Sequence, residues 1–327
     1  MTEAALLSVR GLGKLFPVKA GSFGGSGRLL RAAHGVGFDL AHGRTLGLVG
    51  ESGCGKSTVG RLVMRLIDPT SGRIAFEGED ITHLRGARLR HIRKRMQIIF
   101  QDPLGSLNPR MTVEQIVSEP LLVHGVPRRE RRQRVRDLLR EVELPLDSLT
   151  RFPHEFSGGQ RQRIAITRAL ALRPSLIVAD EPVSALDASI QSQILALLGR
   201  LQDEHRLAYL FISHDLAVVR FLCHDVAVMY LGEVVERGSV EQVFAAPMHP
   251  YTRALLAAIP RPEARAGRVA PLGGSVPSAI EPPPGCAFSP RCPHAMERCR
   301  RESPPQFMVG DGHGASCWLN EPSGAAD

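Results

Sequence analysis

Aromatic residues make up only 5% of this 327-residue chain, with a single tryptophan and three tyrosines. A surface built to stack nucleic-acid bases draws on such rings, so their scarcity argues against that class of partner. Long apolar runs are missing too: none approaches the ~20 residues that span a bilayer. The start, Met1-Thr2-Glu3-Ala4-Ala5-Leu6-Leu7, lacks the basic residues and apolar stretch of a secretory signal, so a soluble, intracellular protein is expected. With 43% hydrophobic and 23% charged residues the composition is globular and not disordered. The length suggests two domains.

What the chain has in excess is positive charge, a formal +8. That raises nucleic acid or an acidic membrane surface as partners. The charge is clustered. Arg85, Arg88, Arg90, Arg93, Lys94 and Arg95 form one run, and Arg128, Arg129, Arg131, Arg132, Arg134, Arg136 and Arg140 a second. Glu130, Asp137 and Glu141 interleave with the second run, which reads as a solvated amphipathic helix ending at Leu138-Leu139.

The most informative stretch is Gly50-Glu51-Ser52-Gly53-Cys54-Gly55-Lys56-Ser57-Thr58. The apolar run Leu46-Gly47-Leu48-Val49 before it reads as a buried strand, and Val59 to Leu66 after it has apolar residues at helical spacing. Strand, glycine-rich loop and helix start are the context of a phosphate-binding loop. The glycines let successive N–H groups turn into one concavity, and the helix N-terminus adds about half a positive charge behind it. Lys56 can reach terminal phosphate oxygens and the Ser57 hydroxyl can ligate Mg²⁺. The plain alternative is a glycine-rich turn that happens to precede a lysine.

Further along, Met96 to Phe100 reads as a short buried strand that ends at Gln101-Asp102-Pro103. From there to about Arg163 the pattern is helical and broken by prolines, as an all-helical insertion over residues 102–163. Inside it Ser157-Gly158-Gly159-Gln160 forms a capped helix start, a second N-terminus suited to an anion. Leu176 to Ala179 is an apolar strand ending in Asp180-Glu181, acids placed to hold Mg²⁺ and polarise water. Ser184-Ala185-Leu186-Asp187 precedes another helix, and the strand Tyr209 to Ser213 ends in His214-Asp215. Val226 to Tyr230 and Glu233 to Gly238 read as a hairpin.

In this order and spacing the motifs resemble the ATP-binding subunits of ABC transporters, across about residues 4–245. The resemblance implies an α/β P-loop NTPase fold: a RecA-like core sheet, an antiparallel β subdomain and a helical insertion. It also implies roles. Lys56 and the loop residues Gly50 to Thr58 would hold ATP phosphates, and Ser57, Asp180 and Gln101 the Mg²⁺ site. Glu181 would be the base acting on water, His214 the contact to the γ-phosphate and Phe16 a platform for adenine. Ser157, Gly158, Gly159, Gln160 and Asp187 would serve the ATP of a facing subunit, so the hydrolytic unit would be a dimer of cassettes. The membrane channel would be borrowed from two permease subunits.

A narrower resemblance, to the oligopeptide/dipeptide importer ATPases, rests on Gly50 to Thr58, Phe100-Gln101-Asp102-Pro103 through Arg110, Pro153 to Phe156, and His249-Pro250-Tyr251-Thr252-Arg253-Ala254-Leu255-Leu256. The opening Leu15-Phe16-Pro17-Val18 looks like the F-type member of the paired ATPases in such systems. It implies ATP-driven uptake of short peptides at the cytoplasmic face of the inner membrane. An extracytoplasmic binding protein would take part indirectly, and the facing cassette would be identical or paralogous. Nickel and glutathione importers share the subgroup and remain alternatives; a soluble ABC ATPase acting on nucleic acid or ribosomes is the competing class.

The expected organisation is a nucleotide-binding domain over residues 1–258, a proline-rich linker over 259–285 and a cysteine-rich region over 286–327. Four of the six cysteines, Cys286, Cys292, Cys299 and Cys317, lie in that last region. In an intracellular chain such a cluster points to metal sooner than to disulfides, although the C-x2-C pairs of zinc ribbons are absent. Some of the resembled importers carry a [4Fe–4S] cluster there, which favours iron–sulfur over zinc.

Overall fold

Strands covered on both faces read as unbroken apolar runs. The computed structural model, which describes residues 5–18, 27–259, 274–310 and 312–322, places such runs in its parallel strands. In chain order the strands are β1 (Leu7–Val18), β2 (Arg28–Leu40), β3 (Thr45–Val49), β4 (Ser71–Phe76), β5 (Glu79–Asp80), β6 (Met96–Ile99), β7 (Leu176–Asp180), β8 (Ala208–Ser213), β9 (Asp225–Tyr230), β10 (Glu233–Ser239), β11 (Phe307–Val309) and β12 (His313–Ala315). The chain divides into two compact units. One gathers Met1–Leu6, Leu40–Thr45 and His83–Ile212, the other Leu7–Asp39, Leu46–Thr82 and Ser213–Asp327.

In the first unit β6, β7 and β8 run parallel in the order β8-β7-β6, with Ile99 opposite Ala179 and Asp180 opposite Ile212. Every residue of β7 and β8 is buried. Burying a branched aliphatic side chain contributes about 1.5–3 kcal/mol, so these two strands anchor the unit. Every element between β6 and β7 is helical: Pro103–Ser106, Val113–Val123, Arg128–Glu141, two short 3-10 turns and Gly158–Leu170. Helix Arg128–Glu141 buries Val135, Leu138 and Leu139, three and four residues apart, and leaves most of its arginines in solvent. Helix Ala188–His205 follows β7; its Gln202 is buried and donates to Thr45 Oγ1 at 2.8 Å.

The second unit holds two sets of strands. β2, β1, β4 and β5 form one sheet in that order, with β1–β4 and β4–β5 antiparallel. The other runs β11-β12-β10-β9-β3, where β3 and β9 are parallel and the remaining pairs antiparallel. The hairpin expected between Val226 and Gly238 is present as β9–β10. Its two turn residues, Leu231 and Gly232, have φ of 46° and 86°, the left-handed pair a tight hairpin uses.

The C-terminal stretch is joined to this sheet and is not built around its cysteines alone. β12 pairs with β10 through Glu236 opposite Ala315 and Arg237 opposite Gly314. Glu236, fully buried, accepts from the Met248 and His249 N–H groups, both at 2.8 Å, and from His313 Nε2 at 2.9 Å. Three donors on one carboxylate offset the cost of taking its charge out of water. Of the proline-rich stretch expected as a linker, 260–273 falls outside the described residues. Among the described residues no helix is long and apolar enough to cross a membrane.

Candidate functional site

The loop Gly50 to Thr58 leaves β3 and enters helix Lys56–Val63 in the second unit. Gly55 is the residue before the first helical turn, at φ 106° and ψ 0°, and a Cβ there would collide with the Ala32 carbonyl. Only glycine fits that position. This helix start has no side-chain cap and no acidic residue in its first turn, so its leading N–H groups keep their capacity to bind an anion. Lys56, 4% exposed, folds back on the loop, its Nζ donating to Gly50 O at 2.8 Å and Glu51 O at 3.0 Å. Burial pushes the neighbouring Cys54 thiol up, keeping it neutral despite the nearby Lys56. Ser57 and Thr58 are half-buried in the first turn, while Ser52 and Gly53 are exposed.

Glu51 is held twice. Its N–H donates to Tyr251 Oη at 2.9 Å, and its carboxylate receives both arms of Arg291, at 2.8 and 3.0 Å. Nothing in the sequence points to Arg291 or Tyr251 as neighbours of the loop, because no local pattern links residues 200 and 240 positions apart. Also in this unit, His214 is exposed just beyond β8, and Asp215 caps the next helix through the Ala217 N–H at 2.8 Å. Phe16 is half-buried on β1, with Lys14 Nζ 5.1 Å from its ring centre.

The first unit holds the acids. Asp180 ends β7 at 4% exposed, and Glu181 follows with φ 48°, a left-handed conformation costly for a non-glycine residue. Three bonds enforce it. The Glu181 N–H donates to Ile212 O at 3.0 Å, its carbonyl accepts from Ser184 Oγ at 3.1 Å, and Oε2 accepts from Gln101 Nε2 at 3.0 Å. Gln101 and Glu181, 80 residues apart in sequence, thus meet. In the same unit Ser157 starts helix Gly158–Leu170 with a full capping box. Its Oγ accepts from the Gln160 N–H at 3.4 Å and Gln160 Oε1 accepts from the Ser157 N–H at 3.0 Å. Gly158 is exposed, whereas Gly159 is buried so closely on Ile190 that a Cβ would overlap its side chain. Asp187 precedes helix Ala188–His205 without capping it through its side chain.

The metal expectation for the tail finds no support. Among the described residues no group of three or more His, Cys, Asp or Glu side chains could hold a metal ion, and all six cysteines are free thiols. Cys286, Cys292, Cys299 and Cys317 do lie within electrostatic reach of one another. Burial pushes the Cys286 thiol up to about 11 and raises those of Cys292 and Cys317. The Cys299 sulfur instead accepts from the Met296 N–H at 3.5 Å. The arrangement gives no support to the iron–sulfur cluster or the zinc expected there.

Residues 33–184 match the family model of the ABC transporter, and residues 235–299 that of the oligopeptide/dipeptide transporter C-terminal region. A Sinorhizobium fredii protein described as a probable peptide ABC transporter ATP-binding protein is 54% identical over 98% of this chain and 92% of its own length. The chain belongs to the ABC transporter ATP-binding proteins. The oligopeptide transport ATP-binding protein AppF of Bacillus subtilis is 47% identical over 97% of this chain and 98% of its own, in keeping with the F-type resemblance of the opening residues. Among solved structures, a dimeric ATP-binding cassette in a post-hydrolysis state with ADP and phosphate matches with a TM-score of 0.63 and 30% identity, over 72% of this chain and 98% of its own. The α/β ABC ATPase fold and the ATPase class of this chain follow, and its place within the family is among the ATP-binding subunits of oligopeptide/dipeptide transporters.

Proposed function

We propose that this chain binds and hydrolyses Mg–ATP to energise the uptake of di- and oligopeptides through separate membrane subunits. The observation that carries the ATP half is the uncapped start of helix Lys56–Val63, with a buried lysine beside it, since loop N–H groups and a cation suit a polyphosphate. Lys56 and the amides from Gly50 to Thr58 hold the β- and γ-phosphates. Ser57, Asp180 and Gln101 would hold Mg²⁺, which when bound neutralises charge on the phosphate oxygens. Glu181 accepts the proton of the attacking water. The left-handed backbone supports that role, because strain of this kind collects where a side chain must be aimed. Gln101, already bonded to Glu181, orients the same water, and His214 contacts the γ-phosphate. Phe16 stacks on adenine.

Ser157, Gly158, Gly159, Gln160 and Asp187 act on nucleotide held by a facing cassette, so hydrolysis belongs to a dimer, identical or paralogous. Two permease subunits supply the channel, which puts this chain at the inner face of the membrane, and an extracytoplasmic binding protein delivers cargo. Peptide cargo is supported by the names of the relatives and by the match over residues 235–299. The test is uptake of labelled di- and oligopeptides by cells in which Glu181→Gln replaces the native subunit and parallel importers are deleted. Loss of uptake restored by the wild-type chain is expected. Normal uptake would discard peptide as cargo, and nickel and glutathione would then be assayed in the same strain.

A further inference from the structure

A carboxylate inside a phosphate loop works against the loop's purpose. The helix N-terminus and Lys56 attract a polyanion, whereas Glu51, one residue after Gly50, would repel it. The second unit answers this with a counter-charge from far along the chain. Arg291 Nη1 donates to Glu51 Oε2 at 2.8 Å and Nη2 to Oε1 at 3.0 Å, the two-pronged geometry that guanidinium and carboxylate share. The arginine side chain is only 5% exposed and that of Glu51 27%, so water screens the pair weakly.

The arginine is itself built in. It closes the 3-10 turn Ser289–Arg291, and its Nη1 also donates to Tyr230 Oη at 3.4 Å. Three residues before it, Phe288 packs its ring 5.2 Å from Tyr230 and 5.5 Å from Tyr251. Tyr251 in turn accepts the Glu51 N–H. Backbone and side chain of one loop residue are thus both fixed by the C-terminal part of the chain.

We propose that Arg291 is a positioning residue of the ATP site, which neutralises Glu51 and holds it so that incoming phosphates meet the loop amides and Lys56 instead of an unpaired carboxylate. The proposal rests on the reading of this loop as the ATP site. It gives the C-terminal region a role in nucleotide affinity that needs no metal. Because the effect is electrostatic, it grows with the charge of the nucleotide, largest for ATP, smaller for ADP and least for AMP. A role limited to packing would weaken all three alike.

The experiment uses the full chain, fluorescent ATP, ADP and AMP analogues, and steady-state ATPase kinetics. Arg291→Ala is expected to weaken ATP binding about tenfold (roughly 1.4 kcal/mol), with a smaller loss for ADP, KM raised in step and kcat within about twofold. Adding Glu51→Gln to that variant removes the released charge and is expected to restore most of the affinity. Arg291→Lys keeps the charge, loses the two-pronged contact and falls between; it also serves if Arg291→Ala does not fold. Unchanged ATP affinity in Arg291→Ala, equal losses for ATP and AMP, or a double variant as weak as the single one would overturn the proposal. Lys56→Ala keeps the two readings apart. If it binds ATP as the wild type does, the loop is not the ATP site; if it loses ATP while Arg291→Ala binds normally, only the role of Arg291 falls.

Discussion

Two glycine-rich helix starts in this chain have opposite states of readiness. Helix Lys56–Val63 begins at Gly55 with no side chain on its first-turn donors, whereas helix Gly158–Leu170 begins at Ser157 with both members of a capping box engaged. The difference follows from the residues. Gly55 has nothing to offer its own amides, and its backbone angle admits no side chain that could. Ser157 and Gln160 satisfy each other's N–H groups across one turn. A site that binds its own ligand can keep donors open. If, as proposed, the other start serves a ligand carried by a facing subunit, its capping box would stabilise the helix until that partner arrives.

The largest effect that would test this contrast is at Glu181, in the unit that holds the capped helix. Glu181→Gln is expected to slow ATP turnover by about 10²–10⁴-fold while nucleotide still binds and drives ATP-dependent dimerisation, measured by phosphate release and by size in solution. Unchanged turnover would remove Glu181 from the base role. At the open start, Lys56→Ala should weaken ATP binding by about 100-fold, roughly 2.8 kcal/mol, read by fluorescent nucleotide titration.

A third helix start sharpens the contrast because a titratable group caps it. His249 Nδ1 accepts the Tyr251 N–H at 3.1 Å at the head of helix Pro250–Ala257, and burial lowers this histidine to about 3, with Arg253 a smaller cause. The unfolded chain takes up that proton near the ordinary value of ~6.5, so between there and about 3 the unfolded state holds more protons. Stability should therefore fall as pH is lowered through that window, by up to about 1.4 kcal/mol per pH unit from this group. His249→Asn keeps an acceptor at the cap and should flatten this part of the slope in denaturant unfolding measured at several pH values. The smallest effect is at the closed start. Ser157→Ala should cost about 1 kcal/mol of helix stability and lower ATPase activity, while a single chain keeps its affinity for ATP at the Gly55 loop. A loss of affinity there would break the division between the two starts.

What could be read ahead of the structure was what local sequence controls. The loop from Gly50 to Thr58, the acids ending β7 and the hairpin β9–β10 are each encoded within a short local stretch, by apolar runs and turn chemistry. Gln101 and Glu181 were singled out separately, but their bond is a product of the parallel pairing of β6 with β7. The left-handed backbone of Glu181 has no sequence signal, since nothing about a glutamate favours that angle. Arg291 was invisible for the same reason as Tyr251: a contact across 240 residues is set by the fold. The metal expectation found no support because cysteine spacing says nothing about where the fold places the sulfurs. β11 and β12, three residues each, are too short to show any period.

That small hairpin bears on how this protein can be cut. β12 lies along the outer side of β10 and occupies hydrogen-bonding groups that would otherwise face water in a row. A chain ended before the cysteines would uncover that row, together with the buried Glu236 carboxylate that His313 bonds. Such a fragment would carry an adhesive strand and a carboxylate short of one of its three donors, so poor solubility in a shortened protein would report a bared sheet margin and not a lost activity of the tail.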